Sequence, residues 1–236
     1  MMIEKKQQYV WDPLIRIFHW SLVIFFFIAY FSGEEENLLH VYSGYVVFGL
    51  IIFRIIWGFI GTKHARFSDF VYRPGEVYKY CKELACNKPH YYEGHNPAGG
   101  YMVILMLFML AVISISGLKV YGLEGHGPLA GAGNGMQLVT AVYADEDEGE
   151  EGEEEEDEYE ESEHHGGKNH MLSGMHQQRV EENEAAEEFW EEIHEAATNI
   201  TLLLIALHIL GVVVSSGLHK ENLVKAMITG EKEVIV

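Results

Sequence analysis

Four stretches of this 236-residue chain are apolar for about the thickness of a membrane, and that leaves few folds open. They lie near residues 14–33, 39–60, 98–120 and 196–218. A hydrocarbon core about 30 Å thick takes roughly 20 helical residues to cross. The expected fold is therefore all-α, an integral membrane four-helix bundle. The first stretch follows Lys5 and Lys6 as a signal peptide would, but it contains Arg16, His19 and Trp20 and runs into Gly-Glu-Glu-Glu without a small-residue cleavage site. It reads as a retained helix.

Mean hydropathy near zero and a net charge of -20 fit together only if apolar blocks coexist with one acidic block. Residues 145–163, DEDEGEEGEEEEDEYEESE, hold 15 acids and no base, three quarters of that net charge. The surrounding 122–179 segment is rich in Gly, Glu and His and has few large apolar residues. It cannot bury enough surface to offset chain entropy, so a long acidic, disordered extracytoplasmic insert is expected there. From Val180 the pattern EENEAAEEFWEEIHEAATN favours helix and reaches the fourth span without Gly or Pro, so that helix is expected to begin outside the membrane. One domain results: spans one to three in 1–121, the insert in 122–179, and the fourth span with its tail in 180–236.

Positive segments stay cytoplasmic. Lys5 and Lys6 precede the first span, six Lys and Arg lie in 61–97, and Lys220, Lys225 and Lys232 follow the fourth. The 34–38 loop has none, and 121–195 has only Lys168 and Arg179. Both termini are thus expected in the cytoplasm of a bacterial inner-membrane protein, with 122–195 in the periplasm. Cys81 and Cys86 make neither a disulfide framework nor the CxxCH that attaches a c-type haem. The chain also lacks a Gly-rich phosphate loop and the basic surface that nucleic acid requires.

Ligand-forming residues inside a span are costly and mark function. His19 lies near the inner end of the first span, His40 at the outer end of the second, and His194 and His208 at the outer end and inner half of the fourth. His194 and His208 are 14 residues apart, about 21 Å along a helix and close to four whole turns, so they share one face at two depths. His40 then matches His194, and His19 matches His208. Two neutral imidazoles on facing helices are what a six-coordinate haem b iron requires, so two haems b are expected, with these four histidines as axial ligands. A proton relay would normally add intramembrane carboxylates, which the apolar cores lack, and metal transport by His pairs is weaker for the same reason.

Arg16 and Arg54 fall at the depth of the inner pair and suit either a haem propionate or simple snorkelling. Gly44, Gly49, Gly117 and Gly211 suit either a porphyrin face or close helix packing. His95, in GHNPAGG before the third span, suits a propionate, a quinone or a purely structural place, with Asn96-Pro97 as a helix start. The acidic run would draw a basic partner or serve as a solvated spacer. His164, His165, His170 and His176 offer at most weak binding of a divalent metal, because the tract must first be ordered.

The motifs WDPLIRIFHW, LLHVYSGYVVFGLIIFRIIWGF, GHNPAGG, GPLAG and IHEAATN with LHILG and HKENLVKAMITG resemble the prokaryotic b561-type cytochromes and the related cytochrome b subunits of nickel-iron hydrogenases. The resemblance covers nearly the whole chain except about 133–179. It implies a four-helix cytochrome holding two haems b at His19, His40, His194 and His208, exchanging electrons with membrane quinone and with a redox partner. The expectation is a free-standing cytochrome served by a periplasmic c-type cytochrome. The alternatives are a membrane-anchor subunit of a hydrogenase or dehydrogenase, or an oxidoreductase acting on a small oxidant such as superoxide.

Overall fold

Asp12 and Pro13 open the first span. In the computed structural model of the chain the Asp12 carboxylate accepts the Ile15 N–H at 2.9 Å, and Pro13 takes the first helical turn, where its missing N–H has no cost. The structure describes residues 5–33, 38–86, 90–130 and 166–235, with side chains from residue 7 in the first stretch and at 181–232 in the last. The acidic run at 145–163, together with His164 and His165, lies outside the described residues, as do the side chains of His170 and His176.

Strand β1 (Lys5–Tyr9) leads into α1 (Pro13–Ser32), followed by α2 (Leu38–Ile60), the short α3 (Phe67–Phe70), α4 (Pro74–Ala85), α5 (Pro97–Leu123), α6 (Gly166–His219), α7 (Leu223–Thr229) and β2 (Glu231–Ile235). Among the described residues four helices are long and apolar enough to cross a membrane: Pro13–Ser32, Leu38–Ile60, Pro97–Leu123 and Glu181–His219. These agree with the four expected spans. Ile17, Phe59, Leu203 and Val213 are each at least 60% exposed, which suits side chains facing lipid.

The sixth helix starts earlier than expected, at Gly166 rather than Val180, so the 166–179 part of the segment expected to be disordered is helical. Extending an existing helix by a residue is far easier than nucleating a new one, and the strongly helical sequence after Val180 supplies the nucleus. At about 1.5 Å per residue its 54 residues reach about 80 Å, well beyond a bilayer.

The chain forms two compact units, Met1–Ser114 with Glu195–Val236, and Ile115–His194. The larger holds the bundle. Its core is Phe26 from α1, Val47 and Ile51 from α2, and Leu110 from α5, with Leu202 and Ile205 of α6 packed against them. All four spanning helices thus meet in one apolar cluster, bound by packing and polar links rather than by a hydrophobic drive.

One end of this unit is closed by the chain termini. β1 and β2 pair antiparallel, Lys5 opposite Ile235 through Tyr9 opposite Glu231. An isolated two-stranded ribbon is marginal, and here it is tied down. Gly230 ends α7 at φ 88°, and its carbonyl accepts the N–H of Val10 (2.9 Å) and of Trp11 (3.1 Å). Only glycine takes that conformation without strain, and a Cβ there would also meet the Trp11 carbonyl oxygen at 2.8 Å. The guanidinium of Arg16 donates to the Ile228 carbonyl, and Trp20 donates to Met227 at 3.4 Å, fastening α1 to α7.

The smaller unit contains the last turns of α5, a 3₁₀ turn at Gly127–Leu129 and the first part of α6. Within it the rings of Tyr121 and His126 stack at 5.3 Å.

Candidate haem-binding site

At the end of the bundle that carries the sheet, α1 brings His19 and α6 brings His208, and the two rings lie within electrostatic reach of each other. α2 brings Arg54 to the same end of the bundle, within electrostatic reach of His95. Arg54 is only 3% exposed, lies over the rings of Phe67 (5.1 Å) and Phe70 (5.6 Å), and feels the charge of Asp12. It does not snorkel to water. Asp12 cannot serve as its close partner, because its carboxylate already accepts Ile15 N–H, Trp57 Nε1 at 3.2 Å and the Thr62 hydroxyl at 2.5 Å. Burial alone would raise the Asp12 pKa, but these hydrogen bonds outweigh it and hold the carboxyl below its ordinary value.

His95 completes this end. Its ring is wedged between Trp11 and Phe70, each at 4.7 Å, and its carbonyl accepts the Tyr72 hydroxyl at 3.2 Å. Burial, then the positive charges of Arg54, His64, Lys232 and His208, push its pKa down to about 3, so the imidazole is neutral at any physiological pH. The next residue behaves as the sequence suggested: Asn96 Oδ1 accepts the Gly99 N–H at 2.7 Å and starts α5 ahead of Pro97.

The donor set can be tested for a haem b. A haem offers an iron seeking two neutral imidazoles, a flat apolar ring and two propionates. His19 Nδ1, Arg54 Nη1, Arg16 Nε and His95 Nδ1 are all buried without a hydrogen-bond partner among the described residues. Four orphaned nitrogens at one end of a membrane bundle are a large unmet cost for the protein by itself. Carboxylates are what these nitrogens lack, and His19 and His208 together offer the two imidazoles an iron would take, so the residues fit the group. A Cβ added at Gly44, Gly49 or Gly211 would meet nothing within 4 Å, so these glycines do not serve close packing against the described residues.

At the opposite end of the larger unit His40 sits in the first turn of α2, with its Nδ1 2.9 Å from the Ala29 carbonyl of α1. A carbonyl oxygen only accepts, so Nδ1 carries the proton and the ring lone pair is on Nε2, the tautomer a metal ligand needs. In the smaller unit His194 Nδ1 lies 3.2 Å from the Ser116 hydroxyl, and Ser116 is fully buried. Gly117 permits this approach, since a Cβ there would sit 3.0 Å from His194 Cε1. The sequence reading missed Ser116 and Asp12 as supports; a serine and an aspartate close to span ends were the available signals.

A helical membrane bundle with this histidine set is a cytochrome b, an electron-transport protein that holds haem b. A family model described as "Prokaryotic cytochrome b561" matches residues 10–230, and the chain belongs to that family. It is 28% identical over 155 residues to a "Probable Ni/Fe-hydrogenase B-type cytochrome subunit" of Rhizobium leguminosarum bv. viciae, covering 53% of this chain and 64% of that one. A protein of the same description from Azotobacter vinelandii is 29% identical over 149 residues, 50% of this chain and 61% of the other. The chain spans less than two thirds of the length of these curated relatives. No solved structure matches it. Bound haem b supplies a one-electron iron couple, and the protein supplies position and electrostatics.

Proposed function

We propose that this chain is the membrane cytochrome b subunit of a hydrogenase-type oxidoreductase, passing electrons between that enzyme and membrane quinone through two haems b. The observation that carries this reading is the likeness to relatives described as hydrogenase B-type cytochrome subunits, shared by two genera. The inner haem takes His19 and His208, with Arg54, Arg16 and His95 offered to its propionates or to an exchanging quinone. The outer haem takes His40 and His194. His40 belongs to the larger unit and His194 to the smaller, so their pairing rests on the spacing in the sequence. Both termini lie in the cytoplasm of a bacterial inner membrane, and the oxidoreductase partner meets the protein in the membrane.

A second reading, a free-standing cytochrome exchanging with a periplasmic c-type cytochrome, is favoured by the acidic run at 145–163, whose charge suits a basic partner. Affinity purification of the full chain from native membranes separates the two. A large nickel-iron enzyme in the eluate, with haem reduced under hydrogen, supports the subunit. A chain that elutes alone and is reduced only by quinol, with electrons passing on to a basic c-type cytochrome, overturns it in favour of the second reading.

A further inference from the structure

The cap beneath the bundle contains a buried ionisable cluster that haem binding does not use. The side chains of Lys232 in β2 and Glu221, between α6 and α7, are 7% and 5% exposed and pair at 3.2 Å. Lys232 Nζ also donates to the carbonyls of Tyr92 (2.8 Å) and Glu93 (3.2 Å) and lies 4.7 Å over the Tyr91 ring. Three acceptors satisfy an ammonium. The Tyr91 hydroxyl and Glu221 Oε1 are both buried and face each other, and among the described residues neither makes a hydrogen bond of ordinary geometry. Burial, then the Glu221 charge, raises the Tyr91 pKa, which keeps the phenol protonated.

A purely structural lock would need only Lys232 and its three acceptors. The phenol and the second carboxylate oxygen add nothing to that lock, and a buried group without an ordinary hydrogen bond costs about 1–3 kcal/mol. Their surroundings supply a reason for them. On one side a cavity of about 130 Å³, lined by Glu221, Lys232, Gln7, Asn222 and Thr229, has room for several waters. On the other, the carbonyls that hold Lys232 belong to Tyr92 and Glu93, just ahead of His95 in the chain, and Lys232 lies within electrostatic reach of the His95 ring. The charges facing it are Lys225 from α7, Glu231 from β2 and Glu93 from the loop, and His219 of α6 meets Tyr91 edge-on at 5.8 Å.

We infer that Glu221, with Tyr91, is the proton-uptake group for a quinone that exchanges electrons at the inner end of the bundle. This rests on the quinone-linked reading above. Reduction of the quinone to quinol takes two electrons, one at a time from the partner oxidoreductase by way of the haems, and two protons. Each proton enters through the cavity, protonates the Glu221 carboxylate and leaves it toward the quinone oxygen, so Glu221 ends each turn as it began. Tyr91 lends its hydroxyl to the transfer, and Lys232 holds the carboxylate in place.

The test uses the full, haem-loaded chain reduced with stoichiometric dithionite and mixed with duroquinone, or with ferricyanide, which takes an electron and no proton. Glu221→Gln is expected to slow oxidation by duroquinone at least about tenfold, leave ferricyanide oxidation and the haem spectrum unchanged, and recover with added acetate, while Glu221→Asp retains activity. Tyr91→Phe, which keeps the ring on Lys232, is expected to slow the same step and decides the matter if Glu221→Gln loses haem. Wild-type duroquinone rates in Tyr91→Phe and in any haem-loaded Glu221→Gln overturn the proposal alone. A wild-type protein that ferricyanide oxidises and duroquinone does not overturns the quinone reading as well.

Discussion

His40 of α2 donates through Nδ1 to the Ala29 carbonyl of α1 at 2.9 Å, so a neighbouring helix fixes its tautomer before any iron arrives. Fixing the ring in this way raises its worth as a ligand. His40→Ala is expected to lower the haem content of the purified chain from roughly two to roughly one. His208→Ala is expected to do the same by emptying the other site. Pyridine haemochrome per chain measures both, and an unchanged content in either variant removes that histidine from the ligand set.

Arg54 is buried among Phe67 and Phe70 with Nη1 unpartnered among the described residues, which makes it an anion-seeking group at the end of the bundle that carries the sheet. Arg54→Leu is expected to weaken haem retention by about 10–100-fold, the usual effect of losing a supporting partner, and to lower the potential of the inner haem because a positive charge near the iron is lost. Arg54→Lys should restore part of the potential and little of the retention, since an ammonium cannot form the two-pronged contact. Haem titration and a redox titration read the two effects separately.

Asp12 caps α1 and accepts Trp57 and Thr62 from the end of α2 and its following turn. Asp12→Ala removes the cap and leaves the indole N–H without its acceptor, a loss of about 2 kcal/mol. The folded carboxyl titrates below its ordinary 3.8. Its stabilising effect is therefore complete above that value and is lost as pH falls through the lower folded value. Thermal melts in detergent are expected to show a lower midpoint for Asp12→Ala at neutral pH, with the gap to wild type closing only at the acid extreme.

The spans and the cap at Asn96 were legible in the sequence because long apolar runs and Asn-Pro act locally. The start of α6 was not, because residues 166–179 are weak helix formers that join a helix nucleated beyond them. Helical rise is what set His19 and His208 at one depth in the sequence, and in the fold His208 lies within electrostatic reach of His19. Arg54 was ambiguous because a propionate partner and snorkelling suit the same residue at the same depth, and its burial over Phe67 and Phe70 depends on α3, which nothing local announces. The buried Glu221 and Lys232 were invisible because nothing local says that β2 pairs with β1.

Gly117 sets the position of His194. A Cβ there would press on the imidazole at 3.0 Å and shift the contact with Ser116. Gly117→Val is expected to change the spectrum and potential of one haem while leaving haem content near wild type at low temperature. Gly75→Val in α4, outside the spans, where a Cβ meets nothing within 4 Å, is the control and should leave His194 undisturbed. Equal shifts in both variants would point to a general loosening of the bundle instead.

The pairing of β1 with β2, Lys5 opposite Ile235, holds the two ends of the chain on one side of the bundle. Lys5, Lys6, Lys220, Lys225 and Lys232 lie in the segments on that side, and the positive-inside rule makes it the proposed cytoplasmic side. A green fluorescent protein fused after Val236 is expected to fluoresce, and alkaline phosphatase fused there is expected to be inactive. Phosphatase placed in the 145–163 run should be active, because an odd number of spans separates it from either terminus. Because the ribbon joins both termini, the two ends cannot report opposite sides in one folded molecule. An active C-terminal phosphatase would reverse the orientation of the whole protein and move the inner haem, Glu221 and the cavity beside it to the periplasmic face.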